Sequence, residues 1–492
     1  MLKDSLIVFS VKINTSFMKN ILIISILVLL FSTTGKGYPV PDDKSKVLIL
    51  QDSAMSHAQR SYNNICASCH REDMSWFAKR KWKYGGTQND IYTSARTGYP
   101  DFGMPSFKNT FSEQELRDIA KLIYNKLELN IGENGIKDLD TKRIVTEKLN
   151  LRLDTVITGM DTPWGMAFLP DGDMLVTERE AKLYRFRNGK KVAEIKGLPE
   201  IQTVGQGGLL DIRLHPDYKK NGWIYFAYTS SSVSKEVGWN TTLMRARLKN
   251  NTLVDQKVLF KAMPDSKTGQ HVGSRITFDG KGHLFFSVGE RGRQDNAQDL
   301  TNDCGKIHRL NEDGTVPADN PFVNKGGAAK QSIWSYGHRN PQGLFYNNDT
   351  GILWESEHGP KGGDELNIIQ PGKNYGWPVI TFGINYDGTI ITKDTARIGM
   401  EQPVTYWIPS IAPCGMTFIK GGKYKGWEGN VLVGSLRFKY LVRSEIVGNK
   451  VVHKEILLPN IGRLRNVEMG PDGFVYIAVE SPGIIFRLVP VL

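Results

Sequence analysis

The sequence predicts an all-β six-bladed β-propeller preceded by a small all-α module. Two observations carry this. A two-strand unit recurs six times between residues 150 and 492, and a helical apolar period runs ahead of it between residues 50 and 127. Fifty glycines and ten tryptophans in 492 residues suit many short strands and tight turns.

Residues 1–35 read as an export signal. Lys12 and Lys19 precede an apolar run from Ile21 to Phe31, and the small residues Ser32, Thr33, Thr34 and Gly35 follow. Met18 would give a more usual signal length. The run is shorter than the ~20 residues a membrane span needs, so no stable span is expected after cleavage; an uncleaved anchor is the alternative. No cysteine follows closely, which leaves lipid anchoring unsupported. The expected location is periplasmic or secreted.

The net charge is +12, yet the only tight basic cluster is Lys79, Arg80, Lys81 and Lys83, interleaved with Trp82 and Tyr84. A nucleic-acid binder would carry a denser basic stripe. The cluster reads as a solvated face or as a surface steering an acidic redox partner.

Residues 50–127 read as helical. Ser112-Glu113-Gln114-Glu115 is a capping-box pattern, and Leu116, Ile119, Ala120 and Ile123 follow at helical spacing. Residues 128–149 lack a period and read as a linker. The six units then begin at Pro163, Gly208, Gly273, Pro341, Pro413 and Val467. Each pairs a short apolar run with a second across a turn, such as Pro170-Asp171-Gly172-Asp173, Asn221-Gly222, Asp279-Gly280 or Pro471-Asp472-Gly473. At about 57 residues per unit, four strands per blade fit, and closing the ring protects strand edges. A β-sandwich accommodates six such recurrences poorly.

Within the helical region, Cys66-Ala67-Ser68-Cys69-His70 is the haem-attachment pattern. Two thiols three positions apart can bridge one porphyrin, and His70 supplies an axial nitrogen. Structural zinc is the rival, but a second ligand pair at useful spacing is missing. Met104, in Gly103-Met104-Pro105, is the expected sixth ligand, with Met74 the alternative. A His/Met pair suits electron transfer. This defines residues 50–127 as a c-type cytochrome domain carrying haem c.

In the propeller region, Gly205-Gln206-Gly207-Gly208-Leu209-Leu210, His271-Val272-Gly273-Ser274-Arg275, Gly289-Glu290-Arg291-Gly292-Arg293, Glu357-His358-Gly359-Pro360-Lys361-Gly362-Gly363-Asp364-Glu365 and Asn374-Tyr375-Gly376-Trp377-Pro378 resemble the soluble pyrroloquinoline-quinone (PQQ) sugar dehydrogenases, nearest the aldose sugar dehydrogenases. The resemblance covers nearly all of residues 150–492. It implies a flat tricarboxylate cofactor, which needs cations. Arg293, Arg437, Arg463 and Arg465 are the candidates, and Arg463 and Arg465, two apart, would face one side of a strand. His271 matches the family's general base, with Arg293 beside it in catalysis. Gln206 matches a cofactor contact. Gly359 and Pro360 match carbonyl ligands of a Ca²⁺ touching PQQ, and Glu365 and Tyr375 match a second, structural Ca²⁺ site. His358, Gln294 and Arg437 depart from one soluble relative, which has Gln, Asn and Lys there. Cys304 and Cys414 lie outside the pattern and read as free buried thiols rather than a disulfide.

The resemblance implies a sugar or related alcohol as substrate, oxidised by hydride transfer to PQQ, with electrons passing to the haem and on to a redox carrier. The rivals are a Ca²⁺-dependent lactonase-type hydrolase, built around a central cluster of Glu, Asn and Asp ligands, and a non-catalytic sugar-binding propeller. A fused haem would have no obvious purpose in the first; loss of His271 or of the Arg set would favour the second, and neither is lost.

Overall fold

The computed structural model describes residues 57–70, 74, 87–100, 103–128, 141–232, 237–480 and 482–491. The expected signal and the basic cluster at Lys79–Tyr84 lie outside them. No helix among the described residues is long and apolar enough to cross a membrane.

In the N-terminal module a π-helical turn, Tyr62–Cys66, runs into helix α1, Ala67–His70. Helix α2, Gln88–Thr97, starts on a Thr87/Asp90 capping box. Helix α3, Glu113–Glu128, starts on the expected one: the Glu115 amide donates to Ser112 Oγ at 3.2 Å, and the Ser112 amide to Glu115 Oε2 at 2.8 Å. Leu116, Ile119, Ala120 and Ile123 are all buried, as their spacing requires.

The propeller has six sheets. Its inner strands are Pro163–Phe168, Leu209–Leu214, Ile276–Phe278, Pro341–Asn347, Pro413–Phe418 and Leu464–Met469. They define blades one to six, and each inner strand packs on the next, the sixth on the first. The ring closes because Asn150–Ile157 pairs with Ile484–Val491, so blade six takes strands from both ends of the propeller region.

The end of the expected linker belongs to the propeller instead. Ile144–Val145 pairs with Leu151 and Asn150. Glu147 meets Arg443 at 3.0 Å and His453 at 2.7 Å, and its amide donates to Glu455. The polar spacing that hid this strand is the spacing of its ion-pair partners, about 300 residues away.

Arg275 fills the ring axis. Its side chain is 1% exposed. Nη1 donates to Asp211 and Asn466, Nε to the Gln342 carbonyl, and Nη2 to Cys414 Sγ and the Arg465 carbonyl. Its guanidinium lies 4.0 Å over the Trp164 ring. One blade-three side chain therefore touches the other five blades. A buried guanidinium is tolerable only with this many partners.

Candidate functional site

The inner strands all start on one face, and the second strand of each blade ends there, as in the pairs Pro163–Glu178, Leu209–Tyr228, Pro341–Glu357, Pro413–Ser435 and Leu464–Val479. The loops at those ends carry the residues the sequence singled out.

His271 sits in the loop before the third inner strand with a positive φ of 54°, rare for a residue with a Cβ. Three things hold it there. Its amide donates to Gln206 Oε1 at 2.9 Å, and the Gln206 amide donates to the Gly269 carbonyl. Gly289 passes so close that a Cβ would lie 2.3 Å from the His271 carbonyl. The His271 Nδ1 lies 2.5 Å from Glu290 Oε1.

Burial pushes the His271 pKa below 6.5, opposed by Glu290 and reinforced by the charge of Arg339. Burial works to raise the Glu290 carboxyl, but His271, Arg339 and the Arg293 amide hold it below the usual range. The pair is therefore a carboxylate and a neutral imidazole. Nδ1 keeps its proton for Glu290, and Nε2 carries the free lone pair.

Three loops complete the site. The Arg339 side chain donates to the carbonyls of His358 and Gly359, the latter at 2.8 Å. Asp364 fixes this loop by accepting from the amides of Gly359, Ile411 and Ala412 and from the Ser410 hydroxyl. Only glycine fits at 359, where a Cβ would lie 2.3 Å from the Gly362 carbonyl. The His358 Nε2 donates to the Pro413 carbonyl at 2.8 Å. Burial and the charges of Arg339 and Arg465 keep this ring neutral.

Arg463, just ahead of the sixth inner strand, and Arg465, on it, both reach Glu480. Arg463 Nε donates to Glu480 Oε2 at 2.9 Å and Arg465 Nε to Glu480 Oε1 at 2.5 Å. Arg465 also donates to Gln342 and to Cys414 Sγ. Arg437 donates to the carbonyls of Ser410 and Asn64. Arg293 is exposed; its amide, not its side chain, serves the site through Glu290 at 2.9 Å. Arg339 is the guanidinium that faces His271.

These residues fit an anionic planar cofactor. One carboxylate, Glu480, is shared by two guanidiniums. The Trp377 indole N–H beside Arg339 and Gly359 is buried with no acceptor among the described residues. Gly359 keeps a second carbonyl lone pair for a metal ion.

Glu365 lies in a second acidic cluster. Asn367 Nδ2 reaches Glu355, Glu357 and Glu365 at 3.1, 3.4 and 3.2 Å, and the ligand atoms of His338, Glu355 and Glu357 lie within 4.8 Å of one another. Burial first, then the Glu357 charge, raises the Glu355 and Glu365 carboxyls well above their usual range. Hard oxygen donors short of positive charge fit Ca²⁺. The Tyr375 ring stacks on His338 at 4.7 Å, but its hydroxyl is taken up by the 368–370 turn.

In the N-terminal module Cys66 is half-buried, and Cys69 and His70 lie on α1; the Cys69 side chain is outside the described residues. Met104 packs beside Ile65, Phe107 and Leu116, whereas Met74 is buried in the main core of the module with Tyr62. An apolar wall beside the attachment turn fits a haem.

A family model for glucose/sorbosone dehydrogenases matches residues 160–487. The chain belongs to that family. A second model, described as cytochrome c oxidase, cbb3-type, subunit III, matches residues 53–123. Aldose sugar dehydrogenase YliI of Escherichia coli is 42% identical over 339 residues, 67% of this chain and 91% of that protein. Quinoprotein glucose dehydrogenase B of Acinetobacter calcoaceticus is 28% identical, over 68% and 86% of the two chains. Among solved structures, the apo soluble aldose sugar dehydrogenase of E. coli superposes with a TM-score of 0.67 at 38% identity, over 69% of this chain and all of that one. The PQQ-bound aldose sugar dehydrogenase of Streptomyces coelicolor gives 0.58 at 30%, over 69% and 98%. The fold is thus that of a dehydrogenase propeller with a cytochrome module ahead of it, and the chain is an oxidoreductase.

Glu290, Arg339, Asp364 and Glu480 were not singled out by the sequence. Glu290 and Asp364 lie inside family-like stretches, and Arg339 stands two residues before the fourth unit. Apart from the local Asp364–Gly359 contact, their roles follow from contacts across 15 to 68 residues that the blade geometry creates.

Proposed function

We propose that this protein is a periplasmic quinohaemoprotein that oxidises an aldose sugar or related alcohol and passes the electrons through its own haem to a redox carrier. The observation that carries the reading is the neutral His271, oriented by Glu290 among Arg339, Arg463 and Arg465, on the face that the haem-attachment turn also touches.

When bound, PQQ supplies a hydride acceptor and haem c a one-electron acceptor. The chain's own residues do the rest. His271 Nε2 takes the proton of the sugar hydroxyl, and Glu290 holds the resulting imidazolium in place. Arg463 and Arg465 hold cofactor carboxylates, their mutual repulsion relieved by Glu480. Arg339 offers a guanidinium where negative charge develops. Gly359 and Pro360 would hold a Ca²⁺ beside the cofactor, and Glu355, Glu357 and Glu365 a second one of structural use.

The lactonase-type alternative needs a cation at the ring axis. Arg275 occupies that place with a positive charge of its own, which disfavours it. The test is to load purified protein with PQQ and Ca²⁺ and follow the haem absorbance with a panel of sugars. Reduction by at least one aldose or alcohol is expected; no reduction by any, together with lactone cleavage, would replace the reading with the hydrolase.

A further inference from the structure

Among the described residues, the haem module touches the propeller at two places. At the junction of blades five and six, Arg437 Nη2 donates to the Asn64 carbonyl at 2.8 Å. Arg463 Nη1 reaches the Ala67 carbonyl at 3.5 Å and the Leu436 carbonyl at 3.3 Å. Both module carbonyls belong to the turn that carries Cys66 and leads into His70. At the junction of blades two and three, the backbone of Gly103 lies against Gln270: a Cβ added there would sit 3.4 Å from the Gln270 side chain. Gln270 precedes His271, and Gly103 precedes Met104. In a six-bladed ring these two junctions are opposite each other, three blades apart. The module is therefore seated across the opening of the ring, with its two haem-ligating segments turned toward the propeller.

We infer that the cytochrome module is a docked lid over the cofactor face, latched by Arg437 and Arg463 on one side and resting on Gln270 on the other. The inference rests on reading that face as the quinone site. Its logic is that of donor supply. Arg463 gives Nε to Glu480, and Arg437 gives Nη1 to Ser410, so each guanidinium has further N–H groups to offer the cofactor and the module together. The same two side chains then hold the electron donor below and the acceptor above. The linker keeps the module at high effective concentration, so a latch of a few polar contacts is enough. Those contacts also make docking reversible, as exchange of substrate under a lid requires.

The test uses the full-length, haem-loaded chain with a site-specific protease sequence inserted between residues 130 and 139. After cutting, haem absorbance should remain with the propeller on gel filtration at low ionic strength. In the Arg437→Ala/Arg463→Ala variant it should move to the small fragment. Haem leaving the cut wild-type propeller, or staying on the double variant as firmly as on wild type, overturns the docking. Because the double variant also removes the Arg463 guanidinium, which is buried against Glu480, Gln270→Arg provides a second arm at the opposite junction: crowding Gly103 should also release haem, with circular dichroism confirming an intact propeller, and full retention would count against the lid. PQQ uptake by the cut protein, followed by tryptophan quenching, should speed up once the module is washed away; an unchanged rate overturns the lid. Intact docking without sugar-driven haem reduction would instead count against the dehydrogenase reading.

Discussion

Nδ1 of His271 and Oε1 of Glu290 stand 2.5 Å apart, both side chains buried, one in the loop before the first strand of blade three and the other just after its second strand. This contact fixes the tautomer, and with it the direction in which His271 can accept a proton.

Glu290→Gln keeps the shape but removes the charge. The sugar-dependent rate should fall, by less than the ~10²–10⁴-fold expected for His271→Ala. In wild type, kcat/KM should be flat near neutrality and fall only below pH 6.5, because burial depresses the imidazole pKa. The Glu290 charge raises that pKa, so its loss should move the acid limb to still lower pH in Glu290→Gln. A limb that stays put or moves up would contradict the assignment.

Arg465→Ala removes a charge partner of the cofactor rather than a base. PQQ affinity, measured by titration of the apo protein, should weaken about 10- to 100-fold, as expected for one charge-assisted contact. Activity should recover when PQQ is raised. His271→Ala should bind PQQ as wild type does and show no such recovery.

Arg275→Met leaves Asp211 without its axial guanidinium partner. The expected loss of stability is about 3 kcal/mol, read as a lower urea midpoint with an unchanged slope. A neutral effect would mean the axial network is not what ties the blades together.

The fold was largely legible because a propeller repeats its local signals. Each hairpin announces itself by a turn such as Asp279-Gly280 between two apolar runs, and the Ser112 capping box marks α3 directly. His271, Arg463 and Arg465 stood out by family-like context and by spacing. The Glu480 bridge, the Arg339 guanidinium and the Arg275 hub did not: Glu480 meets Arg463 and Arg465 only across the hairpin of blade six, Arg339 and Arg275 join residues of different blades, and none of these leaves a period in the sequence. Arg293 shows the converse: beside His271 by family-like pattern, it contributes an amide while its side chain faces solvent. The Ile144–Val145 strand was hidden because it is only two residues long and the Glu147 contacts that anchor its turn lie about 300 residues away.

The cluster of Glu355, Glu357 and Glu365 should make stability depend on Ca²⁺. Saturation at about 100 times the dissociation constant is worth about 2.7 kcal/mol, so chelator-treated protein should show a clearly lower Tm that Ca²⁺ restores. Glu355→Gln should blunt this response while Arg465→Ala leaves it intact. Equal melting with chelator and with Ca²⁺ would remove the structural ion from the account.

The central claim is that sugar oxidation at His271 empties electrons into the haem of the same chain. The direct measurement is a stopped-flow trace of haem absorbance after mixing PQQ- and Ca²⁺-loaded protein with an aldose, at several protein concentrations. The account predicts reduction at a rate independent of protein concentration and about 10²–10⁴-fold slower in His271→Ala. A rate proportional to protein concentration, or one unchanged in His271→Ala, would contradict it.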